Sequence, residues 1–286
     1  MKRSAFTLVE LLVVIVVVAI LAALLLVAVN RARETARRAQ CLVKQRDLVT
    51  AMITYNTGNN GLPGSLNQLG TTPIHSWAVA IFPMIGEQRR YDAIMNNPTA
   101  PPAALVPLPA LLCPSDKPEG DARLNYVVNC GPTNGGLTGD AAIPFTLFRD
   151  RRAALIPSPN TKVKIEDIPD GTSNTILLSE NVDAGIWHQG WAIPDELELL
   201  PAGSGTFTRD RRAVENLGFV WWNSSDFAPN SPVPGPRPSS KHPGTINAAY
   251  ADGSAKPLND DIGIIEYLRA VCPDDANANS GLGLPL

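Results

Sequence analysis

The chain has 286 residues, is 44% hydrophobic and 18% charged, and carries a formal net charge of -3. This size and apolar content allow one globular domain of about 200 residues besides an apolar N-terminal segment. The slightly acidic charge disfavours a nucleic-acid partner, since there is no excess of positive charge to bind phosphates. The 22 glycines and 26 prolines fall short of the level typical of disorder and predict many loops and short strands.

The N-terminal segment contains an uninterrupted run of Ala, Val, Ile and Leu over residues 11–29, about long enough to cross a bilayer as a helix. Glu10 stands at the head of this run. A charged side chain inside the hydrocarbon costs about 2.5 to 3.5 kcal/mol and usually marks a function. A secretory signal has a shorter apolar core, and a lipoprotein signal has its cysteine next to that core, whereas Cys41 lies well beyond it. The segment therefore predicts a membrane anchor.

The residues around Glu10 carry a resemblance to a known family. The stretch KRSAFTLVELLVVIVVVAILAALLLVAV resembles the N-terminus of type IV prepilins and type II secretion pseudopilins, with a basic leader, a small residue before Phe6 and an apolar helix. The resemblance implies that a prepilin peptidase cleaves between Ala5 and Phe6 and methylates the new Phe6 amine. It also implies that Glu10 pairs with the Phe6 amine of a neighbouring subunit, which offsets the cost of burying the carboxylate. Ala5 departs from the usual glycine but is also small.

Basic residues lie on both sides of the apolar run. Lys2 and Arg3 precede it, and Arg31, Arg33, Arg37 and Arg38 follow it. A positive-inside count alone would place the C-terminal side in the cytoplasm. The resemblance implies the opposite orientation: a cytoplasmic N-terminus, a single pass of residues 11–29 through the inner membrane, and a head domain in the periplasm or at the cell surface.

Beyond the membrane run, apolar residues recur at helical spacing and predict that the helix continues. Those on the predicted apolar face are Ala32, Ala36, Ala39, Leu42 or Val43, Val49 and Ile53, and those between them include Glu34, Arg38 and Gln45. Asn56 and Gly58 begin a series of turn signals. We therefore predict a leader at residues 1–5, a transmembrane and amphipathic helix at 6–56, an exported head domain at 57–272 and a flexible tail at 273–286.

In the head domain, SWAVAIFPMIGEQRRYDAI predicts a short helix kinked at Pro83 with Ile81, Phe82 and Ile85 inward. Strands are predicted in LNYVVN, TILLSE, GFVWW and TINAAYA. A last helix in DDIGIIEYLRAV is predicted to begin at an acidic N-cap. The expected fold is α+β and pilin-like, with the long N-terminal helix packed on a head that contains an antiparallel sheet.

The stretch KHPGTINAAYADGSAK places nine residues between His242 and the pair Asp252 and Gly253. Asp-Gly favours a hairpin turn because both positions tolerate positive φ, so residues 245–251 are predicted to fold back onto 254–258. The stretch resembles the C-terminal His-x9-Asp-Gly signature of a large prepilin-like family without a known activity, known mainly from planctomycete-type genomes. Five further stretches resemble the same family: ARETARRAQC, SWAVAIFPMIGEQ, LLCPSD, LNYVVNCG and IPDGTSNTILLSEN.

Two interpretations of His242 remain. With Asp252 and a nearby serine it would form a nucleophilic arrangement, for which the candidates are Ser239, Ser240 and Ser254. The sequence contains no Gly-x-Ser-x-Gly motif, so we favour a histidine that locks the hairpin by hydrogen-bonding a loop or an aspartate carboxylate. We predict no catalytic residue, no enzymatic activity and no cofactor.

Two further sets of residues favour a binding function instead. Oxygen atoms of Asp167, Asp170, Asn174 and Glu180 are of the type that calcium prefers, although there is no EF-hand loop. Aromatic rings for a sugar-binding face are available at Trp187, Trp191, Trp221 and Trp222, although such rings more often belong to a core. We predict no metal site and keep a membrane-anchored module that binds glycan, calcium or a protein as the second functional hypothesis.

Four cysteines lie beyond the span: Cys41, Cys113, Cys130 and Cys272. An even number in an exported domain predicts two disulfides, with three pairings open; four reduced, buried thiols are the alternative. Cys41 and Cys113 lie in segments that resemble the prepilin-like family, whereas the other two look like additions, which implies the pairs Cys41 with Cys113 and Cys130 with Cys272. Three histidines in the whole chain disfavour a zinc site.

The resemblance thus implies a structural subunit of a type IV pilus or a type II secretion pseudopilus. Its expected partners are the prepilin peptidase, other pilin or pseudopilin subunits, an inner-membrane assembly platform and membrane lipid along residues 11–29.

Overall fold

A computed structural model describes residues 8–64, 66–68, 74–96, 106–116, 123–132, 163–182, 184–185, 187, 218–221, 229–230 and 237–274. In these ranges the α-helices are α1 (Leu8–Asn59), α2 (Trp77–Ala80), α3 (Gln88–Asn96) and α4 (Ile264–Val271). The strands are β1 (Leu66–Gln68), β2 (Ile74–Ser76), β3 (Tyr126–Pro132), β4 (Ile176–Glu180), β5 (Gly218–Trp221), β6 (Thr245–Tyr250) and β7 (Ala255–Asn259). Short 3-10 turns cover Phe82–Ile85, Pro109–Leu111 and Ile165–Asp167.

Helix α1 is continuous through 52 residues, about 78 Å at 1.5 Å per residue. Its apolar part, with a mean hydropathy of 3.6 over the most apolar window, has no buried residue. The protein's own core therefore does not explain why this half is apolar, whereas a membrane or a bundle of like helices would. The helix begins at Leu8 in the described chain and ends three residues beyond the predicted boundary at 56.

The C-terminal half of α1 packs on the head through one face, whose buried residues are Cys41, Gln45, Leu48, Val49, Ala51, Met52, Tyr55 and Asn56. The predicted face was wrong in part: Ala32, Ala36 and Ala39 are exposed, because the face that carries Glu34 and Cys41, and not the face with these alanines, contacts the head in this part of the helix. Gln45, predicted on the polar face, is fully buried, and its Nε2 donates to the carbonyl of Asn247 at 3.1 Å.

The central sheet has the order β5-β3-β4-β6-β7. Neighbouring strands are antiparallel from β3 through β4 and β6 to β7, as expected, and β5 adds a parallel edge to β3. The predicted strands are all present. All five residues of β4 and five of the six in β6 are buried, because these central strands lie under α1 and α4.

The β6–β7 hairpin turns where the sequence predicts, but with a different geometry. Only Gly253 in this turn has a positive φ, 85°, and its amide donates to the carbonyl of Tyr250 at 3.0 Å. A Cβ at Gly253 would lie 3.6 Å from Cδ1 of Ile53 in α1. The turn thus packs against the far end of the helix, and glycine is required there by conformation rather than by space.

Two predicted helices differ in detail. The segment around Pro83 divides into α2, a 3-10 turn and α3, because Gly86 adopts a left-handed φ of 82° that ends the 3-10 turn. Helix α4 has Gly263 as its N-cap, and not the predicted acidic residue. Asp260, in the turn after β7, instead accepts a hydrogen bond from Asn230 at 3.3 Å.

Candidate functional site

The functional candidate with the most converging contacts is the imidazole of His242, which lies just before β6 and is 2% exposed. Its Nδ1 lies 2.6 Å from Oε1 of Glu34 on α1. Its Nε2 lies 3.3 Å from Oε1 of Glu180 at the end of β4. The backbone amide of His242 donates to Oγ of Ser240 at 3.1 Å, which holds the segment in place. The histidine therefore bridges the long helix and the central sheet.

Glu180 is buried at 2% exposure and its hydrogen bonds are supplied by the neighbouring strand. The backbone amide of Asn247 in β6 donates to Oε2, and the Asn247 side chain donates to Oε1, each at 3.0 Å. These two bonds fix the orientation of the carboxylate, and its remaining lone pairs face His242.

Glu34 forms the outer boundary of the site, with a side chain that is 28% exposed. The hydroxyl of Ser115 donates to both of its oxygens, at 2.9 and 3.0 Å, and Arg37 lies 3.6 Å away on the same helix. Partial burial raises the pKa of Glu34, but the hydrogen bonds from His242 and Ser115 and the neighbouring positive charges outweigh it. The pKa therefore lies below its usual value of 4.5.

A disulfide between Cys41 and Cys113 lies directly beside the imidazole, with the two Cα atoms 5.4 Å apart. Sγ of Cys113 is 3.4 Å from Nε2 of His242. The Cys113 amide donates to Oδ1 of Asn125 at 2.9 Å, and the Asn125 side chain donates to Asp116 at 2.7 Å. We refer to His242, Glu34, Glu180 and this disulfide as the His242 cluster.

Electrostatics in the His242 cluster favour an imidazolium between two carboxylates. Burial lowers the pKa of His242, but the hydrogen bonds and negative charges of Glu180 and Glu34 outweigh it and raise the pKa above 6.5. Both ring nitrogens then donate, one to each carboxylate. The cluster as built is a three-part ionic link that joins α1 to β4.

Of the predicted catalytic arrangement, the structure brings Ser240 to the backbone amide of His242 but does not place Asp252 or Ser239 against the imidazole. Asp252 lies at the opposite end of β6, where its Oδ1 accepts from the amide of Ser254 at 2.8 Å. Ser239 Oγ is occupied by the amide of Val182 at 3.0 Å. The partners of His242 are glutamates and not the predicted aspartate or a loop carbonyl, so its contact locks the helix to the sheet and not the hairpin.

The predicted binding residues are likewise separated. Asp170 and Asn174 precede β4, where Asn174 Nδ2 donates to the Asp170 carbonyl at 2.9 Å, whereas Glu180 ends β4 in the His242 cluster. Trp187 is fully buried and makes an edge contact with Phe82, centroid to centroid 5.2 Å, so it is a core residue and not part of a sugar-binding face. Trp191 and Trp222 lie outside the described residues, as does the side chain of Trp221.

The remaining predicted site residues divide as follows. The Cys41–Cys113 disulfide is present. Cys272 is fully buried, but the side chain of Cys130 is outside the described residues, so their pairing stays a prediction. Glu10 lies in the first turn of α1, and Ala5 and Phe6 precede the described residues.

Comparison with known proteins identifies the family. Residues 30–264 match the family described as "Protein of unknown function (DUF1559)". The chain belongs to the DUF1559 family. Residues 1–26 also match the prokaryotic N-terminal methylation motif, which indicates processing and assembly of the type IV pilin kind and suggests a structural rather than an enzymatic protein. No curated protein and no solved structure is significantly similar to the chain.

Four segments of this DUF1559 protein, far apart in sequence, meet at the His242 cluster. ARETARRAQC provides Glu34 and Cys41, LLCPSD provides Cys113, IPDGTSNTILLSEN provides Glu180 and KHPGTINAAYADGSAK provides His242. Sequence reasoning missed the glutamates as partners of the histidine. The available signal was that each of these four segments, although distant from the others in sequence, carries a Cys, His or Glu.

The raised pKa of His242 predicts a pH dependence of stability in the oxidised chain. Above about pH 6.5 the unfolded histidine is neutral while the folded one keeps its proton, so the free energy of unfolding falls as the pH rises through the raised pKa. The slope reaches at most about 1.4 kcal/mol per pH unit. Urea unfolding between about pH 6.5 and 9 measures it, and His242→Gln is expected to flatten it.

His75 has the opposite effect on the pH dependence of stability, at lower pH, and its contribution must be distinguished from that of His242. Burial lowers the pKa of His75 to about 4, so its contribution to stability is lost as the pH falls from 6.5 towards 4. His75 is neutral in both states above 6.5 and does not affect the predicted slope there. An equal slope in wild type and His242→Gln would show that the imidazolium link does not form.

Proposed function

We propose that the protein is a pseudopilin-like structural subunit that assembles through its N-terminal helix into a pilus or a secretion pseudopilus. The observation that carries this proposal is the combination of the N-terminal methylation motif over residues 1–26 with a helix whose apolar half is entirely exposed. Packing this half against the same half of like subunits would bury the apolar surface after it leaves the membrane.

The proposed assembly step uses the N-terminus made by processing. A prepilin peptidase cleaves between Ala5 and Phe6 and methylates the Phe6 amine. Glu10, in the first turn of α1, then pairs with the Phe6 amine of a neighbouring subunit. This pair fixes the axial register of one helix against the next, because a buried carboxylate is stable only where a cation meets it.

The proposed orientation places the N-terminus in the cytoplasm, residues 11–29 in the inner membrane and the head in the periplasm or at the cell surface. The Cys41–Cys113 disulfide supports an exported head, since disulfides form and persist in oxidising compartments. An inner-membrane assembly platform and other pilin-like subunits are the expected partners.

The alternative, an anchored binding module for glycan, calcium or a protein, has less support. Trp187 is buried in the core, and Glu180 lies apart from Asp170 and Asn174, so each of the two residue sets that favoured it loses one member. We therefore place the structural subunit first.

The terminus of the protein from its native membrane tests the proposal directly. Intact mass and terminal sequencing are expected to show a chain that begins at N-methylated Phe6. Replacing Ala5 by a bulky leucine should block cleavage, whereas the same replacement at Ala19, inside the apolar run, should not. A wild-type chain that keeps Met1, or begins well beyond the span, would contradict the proposal.

A further inference from the structure

The His242 cluster contains four buried side chains whose donor atoms converge on one point. Nε2 of His242 lies 3.4 Å from Sγ of Cys113 and 3.3 Å from Oε1 of Glu180. With Sγ of Cys41 as the fourth atom, all four lie within 4.8 Å of one another. None of the four residues is more than 4% exposed. Two sulfurs, an imidazole nitrogen and a carboxylate oxygen therefore share a single dry site.

These atoms have the composition and spacing of a tetrahedral zinc site. Zinc binds sulfur, imidazole nitrogen and carboxylate oxygen at about 2.0 to 2.3 Å, which places neighbouring ligand atoms about 3.3 to 3.8 Å apart. Both distances to Nε2, 3.3 and 3.4 Å, lie at the short end of this range. Only the two sulfurs are too close, because they are bonded, and once the bond is reduced they can separate by rotation of the two side chains about their Cα–Cβ bonds.

The second layer of contacts also matches a metal site. A ligating histidine typically hydrogen-bonds a carboxylate through its other ring nitrogen, and ligating carboxylates are themselves hydrogen-bonded. Glu34 accepts from Nδ1 of His242, 2.6 Å away, which turns Nε2 towards the sulfurs. Asn247 holds both oxygens of Glu180. The site is thus oriented without help from a metal.

We propose that the dithiol form of the chain binds one zinc ion through Cys41, Cys113, Glu180 and His242, and that the disulfide form does not. Reduction by a dithiol adds two electrons and two protons to the Cys41–Cys113 bond, and the dithiol becomes a disulfide. Zinc binding then releases both thiol protons and the Nε2 proton of His242 to solvent. The ion takes the place of the sulfur–sulfur bond and of that proton.

Zinc would keep the same connection that the disulfide makes. Cys41 lies on α1, Cys113 on the segment after a 3-10 turn, Glu180 on β4, and His242 before β6. A metal bound to all four joins the helix to the head in a chain whose disulfide is open. This inference concerns the head alone and does not depend on the proposed assembly function.

Cobalt is the probe for the test, since Co²⁺ occupies such sites and reports tetrahedral geometry and thiolate ligation in its visible and near-ultraviolet absorption. The full chain in detergent micelles is reduced with dithiothreitol, desalted without oxygen and titrated with Co²⁺ and then Zn²⁺. We expect one equivalent of Co²⁺ with thiolate-to-metal charge transfer, displaced by one equivalent of Zn²⁺. The oxidised chain should give no such spectrum.

Variants separate the ligands from the surrounding residues. His242→Gln is expected to lose the tetrahedral spectrum. Glu34 only orients the His242 ring, so Glu34→Gln is expected to weaken Co²⁺ binding about 10 to 100-fold. Asp252→Asn, at the other end of β6, is the matched control and should bind like wild type. Circular dichroism checks the fold of each variant. If His242→Gln does not fold, the Co²⁺ affinity of Glu34→Gln decides the test.

Three outcomes overturn the inference. They are the absence of a tetrahedral cobalt spectrum in reduced wild type, equal binding by the oxidised chain, and wild-type affinity in both the His242 and Glu34 variants. The first two require no variant, so the inference is testable on the natural chain alone.

Discussion

Replacement of Glu10 by alanine is expected to abolish assembly while leaving processing, membrane insertion and the head fold intact. Glu10 lies in the first turn of α1, ahead of the exposed apolar run, and makes no contribution to the head core. In the proposed fibre, its loss leaves the Phe6 amine of a neighbour buried without its counter-ion. Such a loss costs about 3 to 5 kcal/mol, which corresponds to at least a hundredfold fewer correctly joined subunits.

The measurement is the fraction of the protein recovered as cross-linked oligomers or sheared filaments from cells that produce the variant. Glu266→Ala, the same substitution on an exposed glutamate of α4, is the matched control and should assemble normally. Terminal sequencing confirms that the Glu10 variant still begins at Phe6. Normal filaments from Glu10→Ala would show that the proposed ion pair does not determine assembly.

Removing the Cys41–Cys113 disulfide is expected to lower the free energy of unfolding of the head by about 4 kcal/mol. The bond closes a loop of 72 residues, and on the chain-entropy account a loop of this length restricts the unfolded state by about that amount. For a head of this size, the loss corresponds to a decrease in melting temperature of roughly 10 °C. Thermal unfolding of the double variant C41S/C113S, with a chelator present to exclude metals, measures it.

Reductant supplies the control for this experiment. Wild type treated with a thiol reductant and chelator should melt close to the double variant treated in the same way. If the reductant has no effect on the double variant, no further disulfide contributes to stability. If it lowers the melting temperature again, the predicted pair of Cys130 and Cys272 is present. A double variant as stable as the oxidised wild type would contradict the stabilising role of the first disulfide.

Local patterns were sufficient to predict much of the fold. The apolar run and the helical spacing beyond it predicted α1, and short segments bounded by Gly, Asn, Asp and Pro predicted β3, β4, β5 and β6. Each of these depends on residues adjacent in sequence, where periodicity and turn chemistry act. The order of the strands and the parallel β5 edge depend on contacts between distant segments, which periodicity does not encode.

The candidate site was likewise predicted only in part, because its residues come from distant segments of the chain. His242 and the Cys41–Cys113 pair were identified beforehand, from the resemblance rather than from spacing. Glu34 was predicted only as a polar position on a helix, and Glu180 only as one of several oxygen donors. Both glutamates contact His242 because of the way α1 lies across β4 and β6. This tertiary arrangement gives charged residues, which are usually exposed, a buried partner. Gln45 was misassigned for the same reason.

The position of the disulfide along α1 bears on how a fibre would carry mechanical load. Cys41 is the first buried residue of the helix, so a pull on the membrane-side half reaches the head at this covalent bond before it reaches Leu48 or Met52. The disulfide would therefore protect the apolar contacts C-terminal to Cys41 from being broken one helical turn after another. In the proposed fibre, tension would then pass from the helix to the head through the Cys41–Cys113 disulfide as well as through apolar packing.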